Sequence, residues 1–184
     1  MTLVAFRSVT CIRGGRLLFD SLHLAVAPGE AVQVTGPNGC GKSSLLRLAA
    51  GLLQPTSGRI ERSVRVALVD DRRALDGERT LADALGWWAQ LDRSLPALEA
   101  FGLDGLAGVP VRLLSTGQAR RARLARVAAT GAPLWLLDEP LNGLDRAGAL
   151  LLDQAIATHL EGGGAVIAAS HVPLGGAWRT LALT

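Results

Sequence analysis

The chain contains no tyrosine and a single lysine, and aromatic side chains make up only 4% of its 184 residues. Its two cysteines, Cys11 and Cys40, match no metal-ligand spacing. A disulfide framework and a zinc site are therefore both excluded as organising features, and reduced thiols in a reducing compartment are expected. No apolar run approaches the roughly 18 residues of a membrane-spanning helix. Met1 to Arg7 has no charged segment leading into a long apolar stretch, so a secretory signal is not expected and the chain reads as cytoplasmic. Charge of one sign is also scarce. The formal net charge is +3, with no basic stripe interleaved with aromatics, so no direct nucleic-acid binding is expected. Hydrophobic residues are plentiful, at 49%, which excludes disorder. One globular domain over 1–184 is the expectation.

The lone lysine directs attention to its surroundings. Lys42 lies in Gly36-Pro37-Asn38-Gly39-Cys40-Gly41-Lys42-Ser43, which fits the phosphate-loop pattern G-x-x-x-x-G-K-[ST]. Glycines at 36, 39 and 41 allow positive φ and close backbone approach, so successive N–H groups can turn onto phosphate oxygens. Ala31 to Thr35 reads as a buried strand before the loop, and Ser43 to Ala50 as a helix after it. The helix start adds its positive dipole end, where Ser44 follows Ser43. Lys42 would reach the β- and γ-phosphates and the Ser43 hydroxyl would ligate Mg²⁺. An accidental match in a chain of this length has odds of roughly one in a hundred.

Along the chain, Leu3 to Val9 and Leu17 to Val26 read as strands around a Gly14-Gly15 turn, forming an antiparallel layer. Further strands are expected at Arg59 to Glu61, Val64 to Val69, Pro133 to Leu137, Ala165 to Ala169 and Trp178 to Leu183. The region from about 72 to 130 reads as a helical subdomain, with Thr80 capping Leu81 to Leu91 and a short helix at Ser94 to Phe101. Arg120, Arg121, Arg123 and Arg126 are expected to form a solvated helix face. His23 and His159 read as surface or structural residues.

A phosphate loop needs a second acid to hold Mg²⁺, and Asp138 at the end of an apolar strand is placed for it. Glu139 follows directly and, as the backbone leaves the strand, can address an attacking water instead. Ser115-Thr116-Gly117 precedes a helix starting at Gln118, which makes a second candidate anion site. In chain order, Gly36 to Ser43, Leu114 to Gln118, Leu134 to Pro140, Leu144-Asp145 and Ser170-His171 resemble the Walker A, signature, Walker B, D-loop and switch-histidine motifs of ABC ATPases. The resemblance covers almost the whole chain, and the signature discriminates it from other phosphate-loop families. It implies an α/β P-loop fold of the ABC ATPase type, with a mixed central sheet, an antiparallel β layer and a small helical subdomain. It implies ATP and Mg²⁺ as ligands and a head-to-tail dimer in which Ser115, Thr116, Gly117 and Gln118 of one copy cover the γ-phosphate held by the other. Glu139 would polarise the attacking water, His171 would contact the γ-phosphate, and Asp145 would reach across the dimer.

Three positions depart from the family pattern. Arg13 stands where an adenine-stacking aromatic is usual, and a guanidinium plane can stack on a base. Asp70-Asp71-Arg72-Arg73 stands where a Mg²⁺-touching Gln is usual; Arg72 cannot ligate a cation, whereas Asp71 can. Thr116 replaces a glycine. Within the family, Arg16 to Phe19, Pro37 to Leu53, Pro110 to Ser115 with Gln118 to Arg121, and Ala169 to Leu174 resemble the ATPase subunits of haem exporters in cytochrome c maturation. That resemblance implies membrane subunits of the CcmB and CcmC type and a peripheral position on the cytoplasmic face of the inner membrane. Trp87 and Trp88, in the helical insertion, fall where family members meet a membrane subunit. The alternatives are a soluble, non-transport ABC ATPase acting on nucleic acid or the ribosome, and a nucleotide kinase. Tandem cassettes or long insertions, usual in the former, are not seen.

Overall fold

A computed structural model describes residues 1–70 and 75–184. Asp71, Arg72 and Arg73, and with them the expectation for the Gln-replacing loop, lie outside the described residues. The chain divides into two compact units, one of 1–70, 132–140 and 158–184 and the other of 71–131 and 141–157.

In the first unit, β1 (Val4–Arg13), β2 (Arg16–Val26) and β4 (Ser57–Arg62) form an antiparallel sheet in the order β2-β1-β4. β1 continues to Arg13 rather than stopping at Val9, because Gly14 and Gly15 both take positive φ, 54° and 76°, and close a two-residue hairpin. The second sheet has the order β5-β6-β7-β3-β8, built from β3 (Ala31–Thr35), β5 (Val66–Val69), β6 (Leu134–Asp138), β7 (Ala165–Ala169) and β8 (Arg179–Ala182). Every pairing in it is parallel. Among the named strands antiparallel pairing is confined to the smaller sheet, and the mixing lies between the sheets rather than within the central one. Leu134 to Leu137 and all of β7 are buried, as expected for parallel strands covered on both faces. Helix α1 (Lys42–Ala50) buries Leu45, Leu46 and Leu48 in the same core as Val32, Val34, Leu136 and Ile167. Because the strands run in parallel, the loops leaving β3, β6 and β7 all emerge at one edge.

The second unit holds α2 (Leu81–Asp92), α3 (Thr116–Ala129) and most of α4 (Arg146–Glu161). Thr80 caps α2 as expected, its hydroxyl accepting from Asp83 N. The helix expected over 94–101 is reduced to a single 3₁₀ turn, Glu99–Phe101. Pro96 lacks an N–H and disfavours the helical conformation at Leu95. The expected solvated arginine face does not exist either. Arg120 is 1% exposed, Arg121 Nη1 donates to Phe101 O and Gly102 O at 3.0 and 3.2 Å, and the Arg126 guanidinium lies 3.6 Å from the Trp88 ring centroid. Long stems and stacked guanidinium planes have turned charge into packing. Trp88 is half-buried beneath it, while neighbouring Trp87 is exposed and meets it edge-on.

His159 proves structural. It stacks on Trp135 in the first unit, centroids 3.9 Å apart and planes 10° apart, and its Nε2 lies 3.3 Å from Ala165 O. Burial holds its pKa below the usual 6.5, against the opposing pull of the Ala165 and Pro133 carbonyls. On acidification the unfolded chain therefore takes up this proton first, so the stability carried by neutral His159 is complete above about pH 6.5 and lost below it. The melting temperature is expected to drop between about pH 7.5 and 5.5, and to drop less in His159→Phe. Equal slopes in thermal melts of the two proteins would remove His159 from the acid response.

Candidate functional site

The loop between β3 and α1 is shaped by what its glycines exclude. A Cβ on Gly36, whose φ is 140°, would stand 2.3 Å from Leu183 O and 2.8 Å from Cys40 Sγ. On Gly41, φ 111°, it would press on Leu18 and the Phe19 ring at 3.0 and 3.2 Å. Cys40 itself is turned into the core, so it can serve a ligand only through its backbone; its N–H donates to Pro37 O at 3.3 Å. α1 starts at Lys42 with no side-chain cap, which leaves N-terminal N–H groups directed towards an anion. Lys42 is 7% exposed, and its Nζ donates to Gly36 O at 2.7 Å and Pro37 O at 3.2 Å.

Gly41 and Lys42 line a cleft of about 280 Å³ together with Asn38, Gly39, Ser43, Ser44, Leu18, Asp138 and Glu139. The hydroxyl of Ser43 and the carboxylate of Asp138 are hard oxygen donors, the set that suits Mg²⁺ bound mainly through phosphates and water. Among the described residues no group of three or more His, Cys, Asp or Glu could hold a metal alone. A cation in this cleft would need ligand oxygens as well.

Glu139 leaves the end of β6 with a positive φ of 45°, a conformation that costs a non-glycine residue about 1–2 kcal/mol. Its N–H donates to Ala169 O at 2.8 Å, which fixes the backbone there. Its Oε2 lies 2.8 Å from Nδ1 of His171. The structure thus brings Lys42, Ser43, Asp138 and Glu139 into one cleft and joins His171 to Glu139. Arg13 is not among the lining residues. It is exposed at the end of β1 opposite Arg16, and it is Arg16 whose Nη1 comes within 3.8 Å of a Cβ position on Gly39. Sequence reasoning missed Leu18 as a residue lining the cleft and Arg16 as the arginine near Gly39. The two-residue Gly14-Gly15 turn, which sets the pair Arg13↔Arg16, was the available signal.

In the second unit, Ser115 and Gln118 form a capping box: Ser115 Oγ accepts from Gln118 N at 3.2 Å, and Gln118 Oε1 accepts from Ser115 N at 2.9 Å. Gly117 is required locally, since a Cβ there would meet Gly143 O at 2.9 Å. Thr116 is exposed at the first position of the helix. Asp145 Oδ1 accepts from Gly148 N at 2.7 Å, capping α4.

Residues 19–142 match the family described as ABC transporter. The chain is 54% identical over 177 residues to the cytochrome c biogenesis ATP-binding export protein CcmA of Sphingopyxis alaskensis, covering 94% of this chain and 91% of the relative. Among solved structures, an ATP binding subunit of an ABC transporter superposes with a TM-score of 0.83 at 23% identity, over 93% of this chain and 80% of the other. The RNase-L Inhibitor superposes with a TM-score of 0.78 at 26% identity, over 92% of this chain but only 34% of its own.

Gly36→Ala is expected to lose at least about 2 kcal/mol through strain and collision with the Leu183 carbonyl, or roughly 5 °C in melting temperature. Gly163→Ala, with φ 81° but open space around it, is the matched control for strain alone. Equal losses in the two variants would show that the Gly36 contact contributes nothing.

Proposed function

The chain belongs to the ABC transporter family of ATP-binding proteins, and we propose that within it this protein is the ATP-hydrolysing subunit of the haem exporter of cytochrome c biogenesis. The observation that carries the ATPase reading is the assembly of the Lys42 ammonium, the Ser43 hydroxyl and the Asp138–Glu139 pair in one cleft. The relative that is 54% identical along almost its whole length supports the export role.

The geometry supports the following sequence of events. The triphosphate seats on the N–H groups of the loop and α1, and Lys42 exchanges the Gly36 and Pro37 carbonyls for phosphate oxygens. Ser43 and Asp138 would hold Mg²⁺, which would neutralise charge on the transferring phosphoryl group. Glu139 orients a water molecule and accepts its proton. His171, on the Glu139 carboxylate, fixes its direction and offers Nε2 to the γ-phosphate. Ser115 to Gln118 of a second copy close the nucleotide from the other side, and Asp145 reaches across the same dimer. The membrane partners are of the CcmB and CcmC type. No helix among the described residues is long and apolar enough to cross a membrane, and the subunit works from the cytoplasmic face of the inner membrane.

The alternative, a soluble ABC ATPase acting on nucleic acid or the ribosome, is the weaker reading. Its support is a likeness of 26% identity covering a third of the RNase-L Inhibitor, against 54% along 91% of an export protein. Glu139→Gln is expected to bind ATP while turning over at least about 100-fold more slowly; near-normal turnover beside the membrane partner would free Glu139 from the base role. Deleting the gene is expected to abolish covalent haem in c-type cytochromes on stained gels, and intact cytochromes c would overturn the export role while leaving the ATPase reading in place.

A further inference from the structure

The middle residue of the central strand β3 is a glutamine. Val32 and Val34 on either side are fully buried core residues, and alternation along the strand turns Gln33 to the opposite face. Gln33 is only 8% exposed, on a strand flanked by β7 and β8. An amide is costly in such a position unless it is hydrogen-bonded. Its Nε2 donates to Val172 O at 2.8 Å, across 139 residues of sequence.

Val172 follows His171, and its carbonyl receives a second donor. Ser170 Oγ donates to Val172 O at 2.8 Å and accepts from Val172 N at 3.2 Å. Ser170 is fully buried, and its own N–H continues the sheet ladder to Val34 O at 3.2 Å. His171 is thus an exposed residue between two immobilised ones, Ser170 tied to β3 by its backbone and Val172 tied to β3 through Gln33. The imidazole then reaches Glu139 from a backbone tied on both sides.

We propose that Gln33 is a positioning residue for ATP hydrolysis, holding the Val172 carbonyl so that the His171 ring is presented at one fixed angle to Glu139 and to the phosphate beyond it. This rests on the assignment of His171 and Glu139 to the reacting phosphate. Gln33 is not among the residues that line the phosphate cleft, so its effect belongs in the chemical step. Small displacements of a positioned group can lower a rate by up to about a hundredfold without weakening binding.

The test uses the full chain assembled with its membrane subunit. Gln33→Met keeps the length of the side chain and removes the donor, and Ser170→Ala removes the other donor to the same carbonyl, by a smaller change that reports should Gln33→Met fail to fold. Saturating ATP turnover is expected to fall about tenfold in Gln33→Met, with the dissociation constant of a fluorescent ATP analogue unchanged. In a His171→Ala background Gln33→Met is expected to have no further effect, because the two residues act through one arrangement. Unchanged turnover in Gln33→Met, or an equal loss with and without His171, would overturn the proposal. Normal turnover in His171→Ala itself would overturn the assignment of His171, and that outcome is read independently of any change at position 33.

Discussion

The single lysine of the chain is a buried charge, and the site is organised by what that charge requires. Removing an ammonium from water costs several kcal/mol even after relaxation, so Lys42, 7% exposed, has to hold oxygen partners throughout. Those partners are the Gly36 and Pro37 carbonyls, in a loop where Gly36 adopts a φ of 140° against the Leu183 carbonyl. In the proposed function a triphosphate oxygen is the partner that this ammonium meets.

The opposite wall of the cleft follows a similar logic with the sign reversed. Glu139 is strained at φ 45°, is held by its N–H to Ala169 O, and has His171 on its carboxylate. Strain of this kind persists only where the surroundings over-determine it. Here the over-determination comes from β7, which supplies the Ala169 carbonyl and then, through Ser170, the start of the segment carrying His171. One strand fixes both members of the pair, and β3, which carries the phosphate loop at its end, touches that segment through Gln33.

How far this was legible in the sequence depended on whether a residue's identity follows from its immediate neighbours. The phosphate loop, Asp138 at the end of an apolar strand and the Ser115 to Gln118 cap could all be read, because each is a pattern of a few consecutive residues with a local physical cause. The order of β3 beside β7 and β8 could not, nor could the parallel direction of every pairing in that sheet. The four arginines of α3 misled because charge suggests solvent, whereas packing around Trp88, Phe101 and Gly102 decided their environment. Gln33 was invisible within a mostly apolar run, since its partner is Val172, far along the chain. Arg13 attracted attention by its position, but the hairpin turn gives Arg16 the nearer reach to the loop.

The residues of the candidate site fall into two groups by what explains them. Gly117 is required by the Gly143 carbonyl, Ser115 and Gln118 by the start of α3, and Asp145 by the start of α4; each has a sufficient local reason in a single copy of the chain. Lys42 and Glu139 differ in kind, one a buried ammonium and the other a glutamate at positive φ. Folding alone would be served as well by an apolar side chain in place of a buried ammonium, and by glycine in place of a strained glutamate. A position that folding disfavours, in a cleft facing another such position of opposite charge, is where a phosphate ligand accounts for the identity of the residue. The phosphate loop and the Glu139–His171 pair meet that condition within one chain. The signature segment carries no such cost, so its relation to the nucleotide depends on what a second copy brings to it.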